Sequence, residues 1–232
     1  MNKNHSKILA IIPARSGSKG VANKNIFKIN EKPLISWTIN SALNSNIIKK
    51  VIVSTDSKEI AKEAMDCGCD VPFIRPKYLA KDTTPSIDVV LHALGELKGY
   101  DYVILLQPTS PLRTSEDIDN AINLMLSKRV SSCVSINETR ESPYHMFHYN
   151  DGEIKQFSDS SSKFLRRQDL PKIYILNGAI YISSVSKLLK TKKFINSDTV
   201  GYVMPLERSL DIDTMDDMNF FKQIIKNNTN AK

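Results

Sequence analysis

Seven consecutive residues near the start of the chain, Ala14-Arg15-Ser16-Gly17-Ser18-Lys19-Gly20, follow an apolar run and combine glycines, serines and two cations. Glycine lets backbone amides converge on an anion without a Cβ in the way, and such a nest of N–H groups cradles phosphate. Arg15 and Lys19, with Lys24 just beyond, supply positive charge of the order that balances a nucleoside triphosphate. The segment lacks the Gly-Lys-Ser/Thr ending of a Walker A loop and the G-x-G-x-x-G spacing of a dinucleotide fold. That argues against both a P-loop ATPase and a dinucleotide dehydrogenase. Taken alone, the segment also reads as a solvated basic turn.

Near the other end, Asp211 and Asp213 flank a single residue. On an extended backbone that spacing puts both carboxylates on one face and turns Ile212 inward. Two hard oxygen donors suit Mg²⁺, which takes a couple of carboxylates and completes its shell with water and substrate phosphates. Their competing role is to stand at the N-terminus of the last helix, where acids are favoured anyway. His92, His145 and His148 have no ligand-like spacing, so no zinc site is expected. Cys67-Gly68-Cys69 lacks the two-residue gap of a zinc or redox motif, and with Cys133 these read as reduced thiols.

Three polar segments lie between those ends. Gln107 follows an apolar run and precedes Pro108, which places it at the carboxyl end of a strand, where open α/β sheets bind ligands. Arg113 closes the same loop, and both a ligand contact and a structural salt bridge to the next helix are open to it. Arg166 and Arg167 adjoin Gln168; a guanidinium grips a carboxylate through two parallel hydrogen bonds, against the alternative of a solvated basic loop.

The run Ile11-Ile12-Pro13-Ala14-Arg15-Ser16-Gly17-Ser18-Lys19-Gly20, followed by Lys24-Asn25, resembles the signature of the acylneuraminate cytidylyltransferases, the CMP-sialic acid synthetases. The resemblance continues in order through Ser54-Thr55-Asp56, Gln107-Pro108-Thr109-Ser110-Pro111-Leu112-Arg113, Arg166-Arg167-Gln168-Asp169-Leu170, Asn177-Gly178-Ala179-Ile180-Tyr181 and Asp211-Ile212-Asp213. It implies a three-layer α/β/α sandwich with a mostly parallel sheet of the nucleotide-diphospho-sugar transferase type. The implied reaction moves CMP from CTP to the anomeric hydroxyl of N-acetylneuraminic acid with Mg²⁺, or does the same for legionaminic, pseudaminic or another nonulosonic acid.

By the same resemblance, Ala14, Arg15, Ser16, Gly17, Lys24, Asn25, Arg75 and Ser86 contact the nucleotide, the last two at the cytosine ring. Ser86 also reads as a plain N-cap. The catalytic set is Arg15, Lys24, Asp211 and Asp213, with the two aspartates on the metal. Gln107, Arg167, Asn177, Tyr181 and Phe194 are implied for the sugar, Arg166 being the runner-up for its carboxylate and Phe194 equally a core residue. Leu176 stands where many members have proline and Ile175 where some carry a basic residue, which leaves the exact sugar open. The segment from Gln107 to Arg113 argues against a 3-deoxy-octulosonate enzyme. Residues 138–172 resemble a dimerisation arm, which implies a homodimer.

The elements that must hold these residues are legible in the periodicity. Apolar runs at 8–12, 50–54 and 102–106, with a weaker one at 132–136, read as strands buried on both faces of a parallel sheet. Helical patterns fill 34–43, 57–67, 86–97 and 115–126, with Asp56/Glu59 spaced as a capping box and Ser115 as an N-cap. Strand–helix alternation predicts a three-layer sandwich with the site in the loops after 12, 54 and 106. Beyond about 138 the rhythm changes. Asn150-Asp151-Gly152 predicts a hairpin turn within 143–157, a strand at 173–182 is interrupted by Asn177-Gly178, and a short strand at 202–204 leads to a helix capped by Thr214 with Asp217.

The 232 residues are 41% hydrophobic and 25% charged, which excludes disordered and collagen-like classes and fits one domain over 1–232 with a protruding arm. No apolar run approaches a membrane span or a signal-peptide core, so the expected compartment is the cytoplasm, with no membrane partner. The net charge of +7 suits anionic ligands, and the scattered lysines favour small molecules over nucleic acid.

Overall fold

The computed structural model describes residues 6–17, 20–139, 141–157 and 170–230. The strands are β1 (Ile8–Ala14), β2 (Lys28–Ile29), β3 (Lys32–Pro33), β4 (Lys50–Thr55), β5 (Tyr102–Leu105), β6 (Ser132–Glu138), β7 (Phe147–Asn150), β8 (Glu153–Gln156), β9 (Tyr174–Ser184) and β10 (Val200–Val203). The α-helices are α1 (Leu34–Leu43), α2 (Lys58–Asp66), α3 (Ser86–Glu96), α4 (Ser115–Lys128), α5 (Val185–Thr191) and α6 (Met215–Asn230).

Six strands form the central sheet in the order β10-β6-β9-β5-β1-β4. β1 pairs parallel with β4 and β5, and β10 with β6, whereas β9 runs antiparallel to both its neighbours. The expected mostly parallel sheet is therefore present, with one reversed strand in its middle. The alternation of β1 explains the layers. Ile8, Ala10, Ile12 and Ala14 pack against α1, α2 and α4 through residues such as Ile35, Ile60 and Ile118, while Leu9 and Ile11 face Val90 and Ala93 of α3 and Leu188 of α5. An apolar strand is needed because both its faces are buried.

A third cluster does the positioning. Phe221 and Met218 of α6 are buried with Val21, Ile29, Leu34 and Ile212, and the Trp37 ring meets Phe221 edge-on at 5.3 Å. That packing brings the segment before α6 back onto the loop after β1.

Two expected caps move by one residue. α2 is capped by Ser57, whose side chain accepts from the Ile60 N–H, and not by Asp56. α4 is capped by Thr114 in a reciprocal box with Asp117, and not by Ser115. In each case a neighbouring hydroxyl satisfies the same orphan amides. The Thr214–Asp217 pair does form before α6, Asp217 Oδ2 accepting from the Thr214 N–H at 2.8 Å and Thr214 Oγ1 from the Asp217 N–H at 3.2 Å. β9 is continuous through Asn177-Gly178: the pair sits at a register irregularity opposite β6, with Gly178 at φ 75°. β7 and β8 form the expected hairpin, with Asp151 and Gly152 both at positive φ and all eight strand residues exposed. The cysteines are unpaired, and burial pushes the Cys69 and Cys133 thiols up to about 12. Among the described residues no helix is long and apolar enough to cross a membrane.

Candidate active site

A cleft of about 580 Å³ opens at the carboxyl ends of β1 and β5. Its lining includes Arg15, Lys24, Asn25, Arg75, Ser86, Gln107, Asp211 and Asp213, eight of the residues expected at the site. Two smaller hollows of about 370 Å³ adjoin it. One is walled by Ser86, Gln107, Tyr181, Lys193, Phe194 and Ile195; the other includes Gln107, Ile175, Asn177, Gly178, Tyr181 and Asp211. Gln107 borders all three, and Tyr181 and Phe194 meet ring to ring at 5.7 Å. Arg166, Arg167 and Gln168 lie outside the described residues, as do Ser18 and Lys19.

The loop after β1 is shaped by side chains on the next strand connections. Asp56 Oδ1 accepts from the Ser16 N–H at 3.0 Å and Oδ2 from its hydroxyl at 2.7 Å. The Ser16 amide is thus committed to holding the loop. Asn25 Nδ2 donates to the Arg15 carbonyl at 3.0 Å, and Arg75 Nη2 to the Ala14 carbonyl at 3.4 Å. Arg75 is buried, and desolvation draws its pKa below the usual arginine range, with the Asp56 charge opposing that. Arg15 forms an ion pair across the cleft with Asp82.

The acidic pair meets this loop directly. Ile212 is fully buried between Asp211 and Asp213, as extended alternation requires, and its N–H donates to the Thr109 carbonyl at 2.8 Å. Lys24 Nζ donates to the Ile212 carbonyl at 2.8 Å and to Asp213 Oδ1 at 3.1 Å. A Cβ on Gly20 would lie 2.0 Å from the Asp213 carbonyl oxygen, so only glycine permits this approach. Desolvation raises the Asp211 carboxyl above its ordinary value, opposed by a hydrogen bond from Thr109, and the Asp213 charge adds to the rise. Two carboxylates close enough to repel, both lining one cleft beside cations, fit a divalent cation. Among the described residues no cluster of three or more His, Cys, Asp or Glu forms a cage, so such an ion would complete its shell from phosphate and water.

Asn177 and Arg113 are turned inward. Asn177 Oδ1 accepts from Ser135 Oγ at 2.6 Å and its Nδ2 donates to Ser209 Oγ at 3.0 Å, so its polar atoms hold the wall in shape. Arg113 Nη1 donates to the Ala179 carbonyl at 2.7 Å instead of forming a salt bridge with α4. Ser86 begins α3 without capping it, the N-cap being Pro85, and it borders the cleft and one of the hollows. Sequence reasoning did not single out Asp82, took Gly178 only as a break in a strand, Asp56 as a helix cap and Gly20 as part of a phosphate cradle, and so missed the contacts these residues make. Asp56 carried a signal, since it ends the Ser54-Thr55-Asp56 segment at the carboxyl end of β4.

The cytidylyltransferase family profile matches residues 9–207. The N-acylneuraminate cytidylyltransferase of Escherichia coli O18:K1:H7 is 39% identical over 216 residues, 93% of this chain and 51% of that protein. The CMP-N,N'-diacetyllegionaminic acid synthase of Legionella pneumophila is 34% identical over 97% of this chain and 99% of its own length. The chain thus spans about half of the first relative and nearly all of the second. Among solved structures, CMP:2-keto-3-deoxy-manno-octonic acid synthetase complexed with CTP superposes with a TM-score of 0.73 at 17% identity, covering 96% of this chain and 100% of that one. At that identity the likeness concerns the fold.

Proposed function

The chain belongs to the cytidylyltransferase family, and from that premise we propose that it transfers CMP from CTP to the anomeric hydroxyl of N-acetylneuraminic acid, releasing pyrophosphate. One observation carries the reading: Gln107 stands where the cation-lined cleft that holds Asp211 and Asp213 meets two hollows walled by Tyr181, Phe194 and Asn177. That is the plan of a two-substrate site, triphosphate on one side and sugar acid on the other. The same reaction on a legionaminic or pseudaminic acid is the second reading. It is favoured by Ile175, Leu176 and Ile195, large exposed apolar residues bordering the sugar hollows, which suit acylamino and methyl groups better than a polyhydroxy tail.

Transfers of this kind rest on positioning and charge neutralisation. Arg15 and Lys24 are assigned to the triphosphate, with Lys24 anchored by the Ile212 carbonyl at 2.8 Å. Arg75 and Ser86, which line the same cleft, are assigned to the cytosine ring on the resemblance, and the Arg75 guanidinium is held against the Ala14 carbonyl. Asp211 and Asp213 would hold Mg²⁺, which when bound offsets charge on the phosphates and lowers the pKa of the attacking hydroxyl. Gln107 and Tyr181 orient the sugar beside them. Arg167 is assigned to the sugar carboxylate on its position in the matched sequence. The reaction is assigned to the cytoplasm, and the exposed β7–β8 hairpin to a homodimer contact.

The test is pyrophosphate release from CTP with a panel of nonulosonic acids, with and without Mg²⁺. Pyrophosphate is expected only with CTP, a sugar acid and the metal together. Asp213→Ala, at a largely exposed side chain, should abolish turnover while leaving the melting temperature within a few degrees. Full activity in that variant would sink the metal assignment, and no pyrophosphate with any sugar acid would sink the reaction.

A further inference from the structure

Arg113 sits in the structure at an energetic disadvantage. Its side chain is buried, Nε and Nη2 have no hydrogen-bond partner among the described residues, and desolvation draws its pKa down to about 9 against the opposing charge of Asp117. Asp117 is already engaged by Arg208 through bonds of 2.9 and 2.8 Å, by the Tyr202 hydroxyl at 3.0 Å and by the α4 cap. A buried cation with unsatisfied donors is unfavourable, and an apolar chain of similar length avoids that cost. What the guanidinium does hold is specific. Nη1 donates to the carbonyl of Ala179 at 2.7 Å and to that of Gln107 at 3.3 Å, joining the loop after β5 to the irregular part of β9. Thr38 Oγ1 of α1 reaches the same Gln107 carbonyl at 3.3 Å. From the other side, Gly178 leaves room for the Gln107 side chain: a Cβ there would lie 2.6 Å from Gln107 Oε1.

We propose that Arg113 is a positioning residue for Gln107, clamping its backbone to β9 so that its side-chain amide is presented at the junction of the three hollows. This rests on reading those hollows as nucleotide and sugar subsites. The clamp fixes one end of the glutamine, and the bare Gly178 fixes the space into which the other end reaches. Gly178 also stands at φ 75°, so a side chain there is strained as well as crowded. Arg113 touches no hollow itself and acts only through Gln107 and Ala179.

The test compares Arg113→Met, Arg113→Lys and Gly178→Ala with the parent chain. A displaced Gln107 should raise KM for the sugar acid and lower kcat by roughly ten- to a hundredfold combined, with KM for CTP changed less than about twofold. Arg113→Lys should recover part of the loss because an ammonium still donates to the two carbonyls. Arg113→Met combined with Gln107→Ala should be no worse than Gln107→Ala alone. A purely structural Arg113 would lower the melting temperature and the active fraction with both KM values unchanged, and that result overturns the proposal. Side-chain amide resonances of glutamine give a readout independent of turnover. The Gln107 signal, assigned by its loss in Gln107→Glu, should shift or broaden in Arg113→Met while that of Gln223 stays in place. An unmoved Gln107 signal overturns the clamp whatever the enzyme's substrate. Failure of the parent chain to turn over any sugar acid, with the signal moved, overturns only the substrate reading.

Discussion

The tolerance of the triphosphate side is set by a glycine whose importance lies in what it touches. Gly20 approaches the Asp213 backbone so closely that an added Cβ would overlap the carbonyl oxygen, and backbone cannot swing aside as a flexible side chain does. Gly20→Ala must therefore separate the loop after β1 from the acidic pair, and Lys24, which bridges them at 2.8 and 3.1 Å, would lose its geometry. A displacement of about 1 Å is enough to cost on the order of a hundredfold in rate. The expected outcome is a fall in kcat of that order with destabilisation of about 1–3 kcal/mol, measured by pyrophosphate release and thermal melting. Gly95→Ala is the control, because a Cβ there meets nothing within 4 Å and the helix gains propensity. Equal activity in Gly20→Ala would mean that the two segments need not meet. Residue types pointed to Lys24, Asp211 and Asp213 because cations and paired carboxylates name their own chemistry. They pointed to Gly20 only as part of an anion cradle and to Gly178 only as a break in a strand, since a glycine's packing reason is the partner that arrives from a distant part of the chain. Asp56 was read as a cap for the same reason: its true partner, Ser16, lies 40 residues away.

At the scale of elements, the Asp117–Arg208 pair ties the start of α4 to the segment that leads into the acidic pair. Asp117 is fully buried and Arg208 about one-third exposed. Burial pushes the Asp117 carboxyl up, but the hydrogen bonds from Arg208 and Thr114, with the Arg208 charge, bring it below the ordinary range. A carboxylate with a depressed folded pKa contributes stability that is complete above its unfolded value of about 3.9 and lost as pH falls through the folded value. Arg208→Met strands that carboxylate, so it should cost about 3 kcal/mol at neutral pH and move the onset of acid unfolding to higher pH. Denaturant melts between pH 3 and 7 check both; an unchanged acid limb would show that the pair adds nothing. The elements themselves were largely legible. Strands covered on both faces must be continuously apolar, and the helices carry a clear 3.6-residue period. The features that escaped were the two-residue strands β2 and β3, the short α5, and the passage of β9 through Asn177-Gly178. Short elements have too few residues to show a period, and a bulge looks like a break until the partner strand is seen to continue beside it.

At the scale of the whole molecule, the hairpin of β7 and β8 is the feature the chain's own core does not account for. Phe147, Tyr149, Ile154 and Phe157 are 49%, 74%, 67% and 58% exposed, far above what an isolated chain gains by carrying them. A two-stranded hairpin is marginal on its own and is stabilised by something packed against it. A second copy is the partner assigned above, and the net charge of +7 per chain adds a long-range repulsion that salt screens. The dimer should therefore tighten as ionic strength rises, the opposite of an interface held by surface ion pairs. Replacing Tyr149 and Ile154 together by lysine removes two apolar anchors and adds like charge. Losses of about 2–4 kcal/mol at such positions correspond to a dissociation constant weakened some thirty- to a thousandfold. Sedimentation velocity over a concentration series should show a dimer for the parent chain and a monomer for the double variant. The melting temperature of the variant, read at high dilution, should match that of the parent monomer because neither side chain is buried within one chain. A parent chain that stays monomeric at micromolar concentration and high salt would remove the homodimer, and would leave the exposed aromatic edge to a partner of a different kind.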